Sequence, residues 1–347
     1  MKKIILTLSG VFLLTVNTKA QNGFENALLS DARDAKNLIQ AYFQPGMEGF
    51  INAMNSGWYH TAKVHKKFGF DISIGASAAL VPSEKEMFNI VSVLGSNSNI
   101  TSNSATASTF AGPSNSTRMS VNRNINGQDV SAEFDFPGGV TGDLPVNGVP
   151  APIAQLSVGL PWKMEAMVRV IPKIDLGEDE GTVNMLGFGI KKEITDWFGP
   201  LDKTPLHVSL LAAYTTMNVD YEIGDVNTDV LEVRNGLTNF NLTAFTAQAI
   251  ASLNFPIINI YGGVGYNSGS SSFEMTGDFQ GVYQTGLPSP NNTVRQRLLI
   301  PSNLNFESNG FMTTAGLRLS LGFLKIFGSY TIQEYNTANL GIAISIR

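Results

Sequence analysis

From Leu206 onward the chain alternates. Leu206, Val208, Leu210, Ala212 and Tyr214 share one parity, and His207, Ser209, Leu211, Ala213 and Thr215 take the other. The same period returns at Phe245, Ala247, Ala249, Ala251 and Leu253 against Thr246, Gln248, Ile250 and Ser252. It recurs in Phe311–Leu321, Leu324–Ile332 and Leu340–Ile346, and earlier in Phe70–Leu80, Met164–Val170 and, more weakly, Asn184–Ile190. A period of two sends successive side chains to opposite faces of a strand, and segments of about ten residues suit a tilted membrane-crossing strand. One face is continuously apolar. The other carries Gly, Ser, Thr, Asn and Ala with scattered charges, which suits a lumen better than the Lys- and Glu-rich solvent face of a soluble sandwich. Trp162, Trp197, Tyr214, Tyr221, Tyr261, Tyr266, Tyr330 and Tyr335 fall near segment ends, as an interfacial girdle would require.

The pattern predicts an all-β chain with a small helical N-terminus: a transmembrane antiparallel β-barrel. With fainter segments near Phe88–Leu94, Ala154–Leu160, Ile257–Tyr266, Phe273–Phe279 and Val294–Leu299, the count is about 12–14 strands. Leu321-Gly322-Phe323 and Asn254-Phe255-Pro256 suit short periplasmic turns, whereas Ser96–Ser116, Pro137–Pro152 and Thr285–Asn303 suit long outer loops.

Before the first strand the period changes. Leu28, Ala32, Ala35, Ile39, Tyr42 and Phe43 follow helical spacing, Pro45-Gly46 interrupts, and Met47, Phe50, Ile51, Met54 and Trp58 resume it. This predicts two short amphipathic helices joined at a Pro-Gly turn. Residues 21–67 form a helical plug or cap, and residues 68–347 the barrel. Phe43, Pro45, Gly46, Phe50, Met54 and Trp58 are the candidate plug and gate residues; their stripe is either a packing seam or a lining for a ligand.

Composition narrows the class. Only 15% of residues are charged, against roughly 25% in ordinary soluble domains, and the chain has 34 Gly and no Cys. A disulfide-stapled fold is excluded, and a formal charge of -5 argues against nucleic acid as a partner. Lys2 and Lys3 precede a short apolar run, Ile4–Val16, and Thr18-Lys19-Ala20 offers a cleavage site. A signal peptide over residues 1–20 is expected, with cleavage near Ala20 and the outer membrane of a Gram-negative bacterium as destination. Losing Lys2, Lys3 and Lys19 lowers the formal charge from -5 to -8.

Chemistry is sparse. His60, His65 and His207 lack metal-ligand spacing, and no nucleophile or phosphate-binding motif occurs, so neither enzyme, metal nor cofactor is expected. The lumen-parity charges stand out: Lys163, Glu165, Arg169 and Lys173 on one segment, Lys191 and Glu193 on another, then Arg318 and Lys325. They are either a structural ion-pair network or a selective polar path.

Asp34–Trp58, the following Phe68-Gly-Phe-Asp-Ile-Ser-Ile-Gly-Ala and the later Gln155-Leu-Ser-Val-Gly-Leu-Pro resemble an uncharacterised family of outer-membrane β-barrels of Bacteroidetes-type bacteria. In layout the chain is similar to the FadL-type long-chain fatty-acid transporter superfamily, which implies fourteen strands and an N-terminal hatch. The Asn-Pro-Ala hatch signature of that superfamily is missing, and no ligand-binding residue carries over. The expectation is uptake of a small or hydrophobic solute, gated by the plug, with outer-membrane lipid and a hydrophobic small molecule as partners. The alternative is a non-transporting barrel serving as an accessory or scaffold subunit of an envelope or secretion complex.

Overall fold

The computed structural model describes residues 23–140, 148–177, 181–301 and 304–346. The expected signal peptide lies outside these residues. A 3-10 turn, Phe24–Leu29, leads into helix α1, Ala32–Asn55. The strands that follow are β1 (Phe70–Leu80), β2 (Met87–Asn89), β3 (Ile100–Ser102), β4 (Thr106–Ser108), β5 (Thr117–Ile125), β6 (Gln128–Phe136), β7 (Gly148–Leu160) and β8 (Met164–Gly177). After these come β9 (Gly181–Glu193), β10 (Leu206–Asn227), β11 (Leu231–Asn254), β12 (Ile258–Gln284), β13 (Thr293–Arg297), β14 (Leu304–Leu321), β15 (Leu324–Ile332) and β16 (Thr337–Ile346). A short helix α2, Ile90–Leu94, sits between β2 and β3. No described helix is long and apolar enough to cross a membrane.

The main sheet has fourteen strands, but not all of them form the wall. Its order runs β11-β10-β9-β8-β7-β1-β16-β15-β14-β12, and β12 then pairs back onto β11, so ten strands close a ring. Each junction is an antiparallel ladder; closure satisfies the edge groups that lipid could not. The fourteen-strand barrel implied by the transporter resemblance is therefore corrected to ten. Strands β3, β5, β6 and β13 extend the sheet beyond the ring. Residues 81–140, expected as barrel, are an excursion after the wall strand β1.

Two expected strands prove to be one. Ile257–Tyr266 and Phe273–Phe279 lie on the 27-residue β12, and Phe88–Leu94 divides into β2 and α2. The reason is a change of phase. Along β11, Leu253, Ala251, Ala249, Ala247 and Phe245 point out, with Ser252, Gln248 and Thr246 inside. Beyond Phe245 the outward residues become Thr243, Asn241 and Asn239, and the inward ones Leu242 and Phe240. Between Asn239 and Leu253 the parity does not slip; the polarity does. Strands β12 and β14 behave alike, with Ile260 and Leu317 outward in one half and Phe273 and Phe306 inward in the other.

That inversion marks the edge of a membrane belt. Phe188, Tyr214, Phe245, Tyr266 and Phe311 form an exposed aromatic row across β9 to β14, with Phe188 opposite Tyr214, Tyr214 opposite Phe245, and Tyr266 opposite Phe311. The rings of Tyr266 and Phe311 meet edge-on at 5.5 Å. A second exposed set, Phe68, Trp162, Trp197, Phe255 and Phe323, lies at the turns of the opposite end. From Phe245 to Phe255 is about 33 Å of strand, or about 25 Å along the normal for a tilt near 40°. This matches the apolar band of a transmembrane barrel. The 27 residues of β12, about 90 Å of chain, must project far beyond it. The two longest connections between wall strands, β1 to β7 and β12 to β14, are on the projecting side, which fits the outer end.

Candidate functional site

The N-terminal segment threads the barrel from outer end to inner end. Asp31 caps α1, its side chain accepting from the Arg33 and Asp34 amides at 3.0 and 2.9 Å. The helix then runs unbroken to Asn55, so the expected pair of helices is corrected to one. Pro45 removes an amide and crowds the preceding turn. The Tyr42 carbonyl on that turn accepts the Phe110 amide at 2.8 Å, a tertiary bond to the excursion. Gly46 sits against Phe110, where a Cβ would lie 2.7 Å from the ring. Pro45-Gly46 is thus buried helix and not the expected turn.

The helix packs differently along its length. In the outer half, Phe43 lies 5.1 Å from Phe24, 5.2 Å from Phe240 and 5.5 Å from Phe273, ring centre to centre. Phe50 packs on the same core. Below them, Asn52 Nδ2 donates to Ser308 Oγ at 2.9 Å and Asn267 Nδ2 donates to Asn52 Oδ1 at 3.2 Å. At the outer mouth, Lys85 Nζ bonds Glu48 at 2.8 Å and Glu334 at 2.6 Å, and the Tyr335 hydroxyl donates to Glu48 at 2.6 Å. Burial, with the Glu48 carboxylate beside it, pushes the Tyr335 hydroxyl up. Burial works against the Lys85 charge, yet Glu334 and Glu48 hold its ammonium above the usual lysine range.

Past Asn55 the segment is extended and descends through the belt. Gly57 turns it at φ 70°, and a Cβ there would lie 2.6 Å from Ile153. Trp58, expected on a helix, lies beyond the helix end with its indole against Gly187 and Gly189 of β9. Arg169 covers that ring at 4.1 Å and donates to the carbonyls of Met54 and Ser56, at 3.1 and 3.3 Å, and to Gln155 at 3.2 Å. A buried guanidinium is thereby used to cap a helix C-terminus, where carbonyls lack partners.

The foot of the segment is ionic. Glu165 bonds Lys191 at 2.7 Å and receives both the His65 amide, at 3.0 Å, and His65 Nδ1, at 2.8 Å. Asp71 Oδ2 lies 3.2 Å from His60 Nε2 and 3.4 Å from His65 Nε2. Arg318 donates from Nη1 to His60 Nδ1 at 3.0 Å, which leaves the imidazole proton on Nε2, facing Asp71. Glu193 accepts the Val64 amide at 3.1 Å and bonds His207 Nδ1 at 2.7 Å. Each wall charge thus grips the threaded segment or another wall residue that does.

The predicted lumen charges divide. Glu165, Arg169, Lys191 and Arg318 are all buried inside. Lys163 is not: it lies in the β7–β8 turn and pairs with Asp196 at 2.5 Å. Lys325 keeps lumen parity but sits at the rim, its Nζ donating to the Gly322 carbonyl at 2.6 Å. Lys173 leaves the row because β8 bulges between Ile171 and Ile174; it is exposed, 4.0 Å from Asp220. Sequence reasoning missed His60, His65, Asp71 and Gln155. His60 and His65 do not share a helical face, but an extended segment brings both to one carboxylate. The surplus of wall charges in need of partners was the available signal. Among the described residues no cluster could hold a metal ion.

A closed ring, an apolar belt between two aromatic sets and a lumen occupied by the chain's own N-terminal segment define a β-barrel of the outer-membrane type. The chain belongs to the family of unknown function DUF6588, which matches residues 1–346. No curated protein matches it. Among solved structures it is similar to Ail, the attachment invasion locus protein of Yersinia pestis, at 8% identity and TM-score 0.25, over 81% of this chain and 99% of that one. It is also similar to the translocator domain of the autotransporter NalP from Neisseria meningitidis, at 11% identity and TM-score 0.26, over 81% and 89%. The ferric-catecholate import receptor Fiu from E. coli K12 follows at 8% identity and TM-score 0.25, over 80% and 57%. A likeness this distant carries no residue role across.

Proposed function

We propose that the protein is a non-conducting barrel of the outer membrane, delivered by a cleaved signal peptide, which anchors a rigid outer head as the scaffold or accessory part of an envelope assembly. The observation that carries this reading is the grip on the plug. Residues 24–67 are held along their length, by an apolar core above and by Glu165, Lys191, Asp71, Arg318 and Arg169 below. Opening a passage would strip several buried charges of partners at once, each loss costing on the order of 3–5 kcal/mol. The head supports the same reading: β10, β11, β12 and β14 rise beyond the belt and enclose an apolar core.

The test is conductance in planar bilayers and swelling of protein-containing liposomes with small sugars. The full chain is expected to give neither. Stable single-channel currents from the intact protein would overturn the reading and favour gated uptake. A tether sharpens the result, because the chain has no native Cys. Asn52→Cys with Ser308→Cys joins the plug to β14 across a 2.9 Å contact. Oxidation should leave an assembly role intact and would abolish uptake that needs the plug to move.

A further inference from the structure

The inner end of the barrel is basic. Lys66 and Lys67 precede β1, Lys63 lies just above them, Lys163 is in the β7–β8 turn, Lys192 ends β9, and Lys325 starts β15. Among the described side chains at this end, Asp196 is the exposed carboxylate; Asp71, Glu165 and Glu193 are buried in the foot of the plug. The outer end has the opposite character, with Asp220, Glu222, Asp225, Glu274 and Glu307 on the projecting strands of a chain whose total charge is negative.

The lysines are held at the depth of the inner aromatic set. The Lys67 ammonium lies over the Phe68 ring at 5.2 Å, and Lys192 donates to the Trp162 carbonyl. Their stems can lie along apolar surface while their charges stay at the level where acyl chains give way to headgroups. They also occupy one arc. In ring order it runs from β15 through β16, β1, β7 and β8 to β9, whereas the β11–β12 turn is apolar, Phe255-Pro256-Ile257.

We propose that this arc is a binding surface for anionic phospholipid headgroups, with Lys67, Lys163 and Lys192 as its principal contacts. The occupant follows from charge and depth: cations at headgroup level, beside rings that lie at the acyl boundary, face phosphate before they face any protein approaching along the barrel axis. The inference is independent of whether the barrel conducts.

The experiment is native mass spectrometry of the full chain released from vesicles of equimolar phosphatidylglycerol and phosphatidylcholine with identical acyl chains. Phosphatidylglycerol should be retained about fivefold over phosphatidylcholine, since each cation near an anionic surface contributes on that scale. Raising salt from about 0.05 to about 0.5 M before release should weaken the preference, because exposed charges are screened. Lys67→Gln, Lys163→Gln and Lys192→Gln together should remove it, while Arg234→Gln with Arg297→Gln at the outer end should not. Heat-modifiable migration on gels verifies that each variant is folded, and the salt series needs no variant. Equal retention of the two lipids by the unmodified chain would overturn the proposal. A preference unchanged in the triple variant would do so too, as would an anionic protein competing for the rim while lipid retention stays even.

Discussion

The two halves of the threaded lumen are built from opposite materials. Around Phe43 the N-terminal segment is held by Phe110, Phe240 and Phe273, an apolar core. Around His65 it is held by Glu165, Lys191, Asp71 and Arg318. The same strands serve both halves, so the difference is not one of topology. It arises because the solvent outside the wall changes. Where lipid lies outside, the apolar residues must face out and the lumen receives the polar ones; above the belt, water lies outside and the strands revert to the pattern of a soluble protein. Specific ionic contacts at the foot and non-directional packing at the head are the consequence.

The largest effects should come from breaking the foot. Glu165→Ala strands Lys191 and His65 in a buried site and should cost about 3–5 kcal/mol, read from urea unfolding in detergent. Replacing both partners, Glu165→Gln with Lys191→Met, should restore much of that loss; if the double variant is as unstable as the single, the foot is not an ion-pair site. The head should fail differently. Phe43→Ala opens a cavity among five aromatic neighbours at about 3–5 kcal/mol, and no charge-neutral partner change should rescue it.

Next in size is the belt. Leu317→Arg should cost about 2–4 kcal/mol in vesicles, whereas Glu307→Arg, on the same outward face of β14 but above the aromatic row, should change stability by about 0.5 kcal/mol or less. Equal damage would mean that the belt edge is misplaced. The smallest effect is at the outer mouth. Lys85→Gln removes a partly exposed pairing with Glu48 and Glu334 and should cost about 1 kcal/mol or less, shrinking further in high salt.

The wall could be read from residues alone where its outer side meets lipid. Ala249 and Leu317 face out, and Gln248 and Arg318 face in, as the two-residue period requires. It could not be read where polarity inverts, because a search for apolar alternation sees a strand end at Tyr266 and a new one at Phe273. The β5–β6 hairpin went unseen although Asn126-Gly127 sits between Val121 and Val130; that dipeptide, with positive φ at both residues, was a usable turn signal. Pro45 does not end the helix: its local penalty is real, yet α1 continues through it in a buried site where Gly46 lies against Phe110.

What the sequence determined by itself is local and periodic: which side chains share a face, where short turns punctuate the strands, and that a helical stretch precedes them. These depend on chain geometry and on the solvent each face requires. The tertiary structure alone decided that ten strands close the ring, that the N-terminal segment threads it, and that His60 and His65 meet at Asp71 while Lys163 and Lys173 do not enter the lumen. Ring closure depends on which strands pair across long stretches of chain, and ion pairs depend on which distant residues share a height. Neither quantity is a property of any one segment, so neither leaves a periodic mark in it.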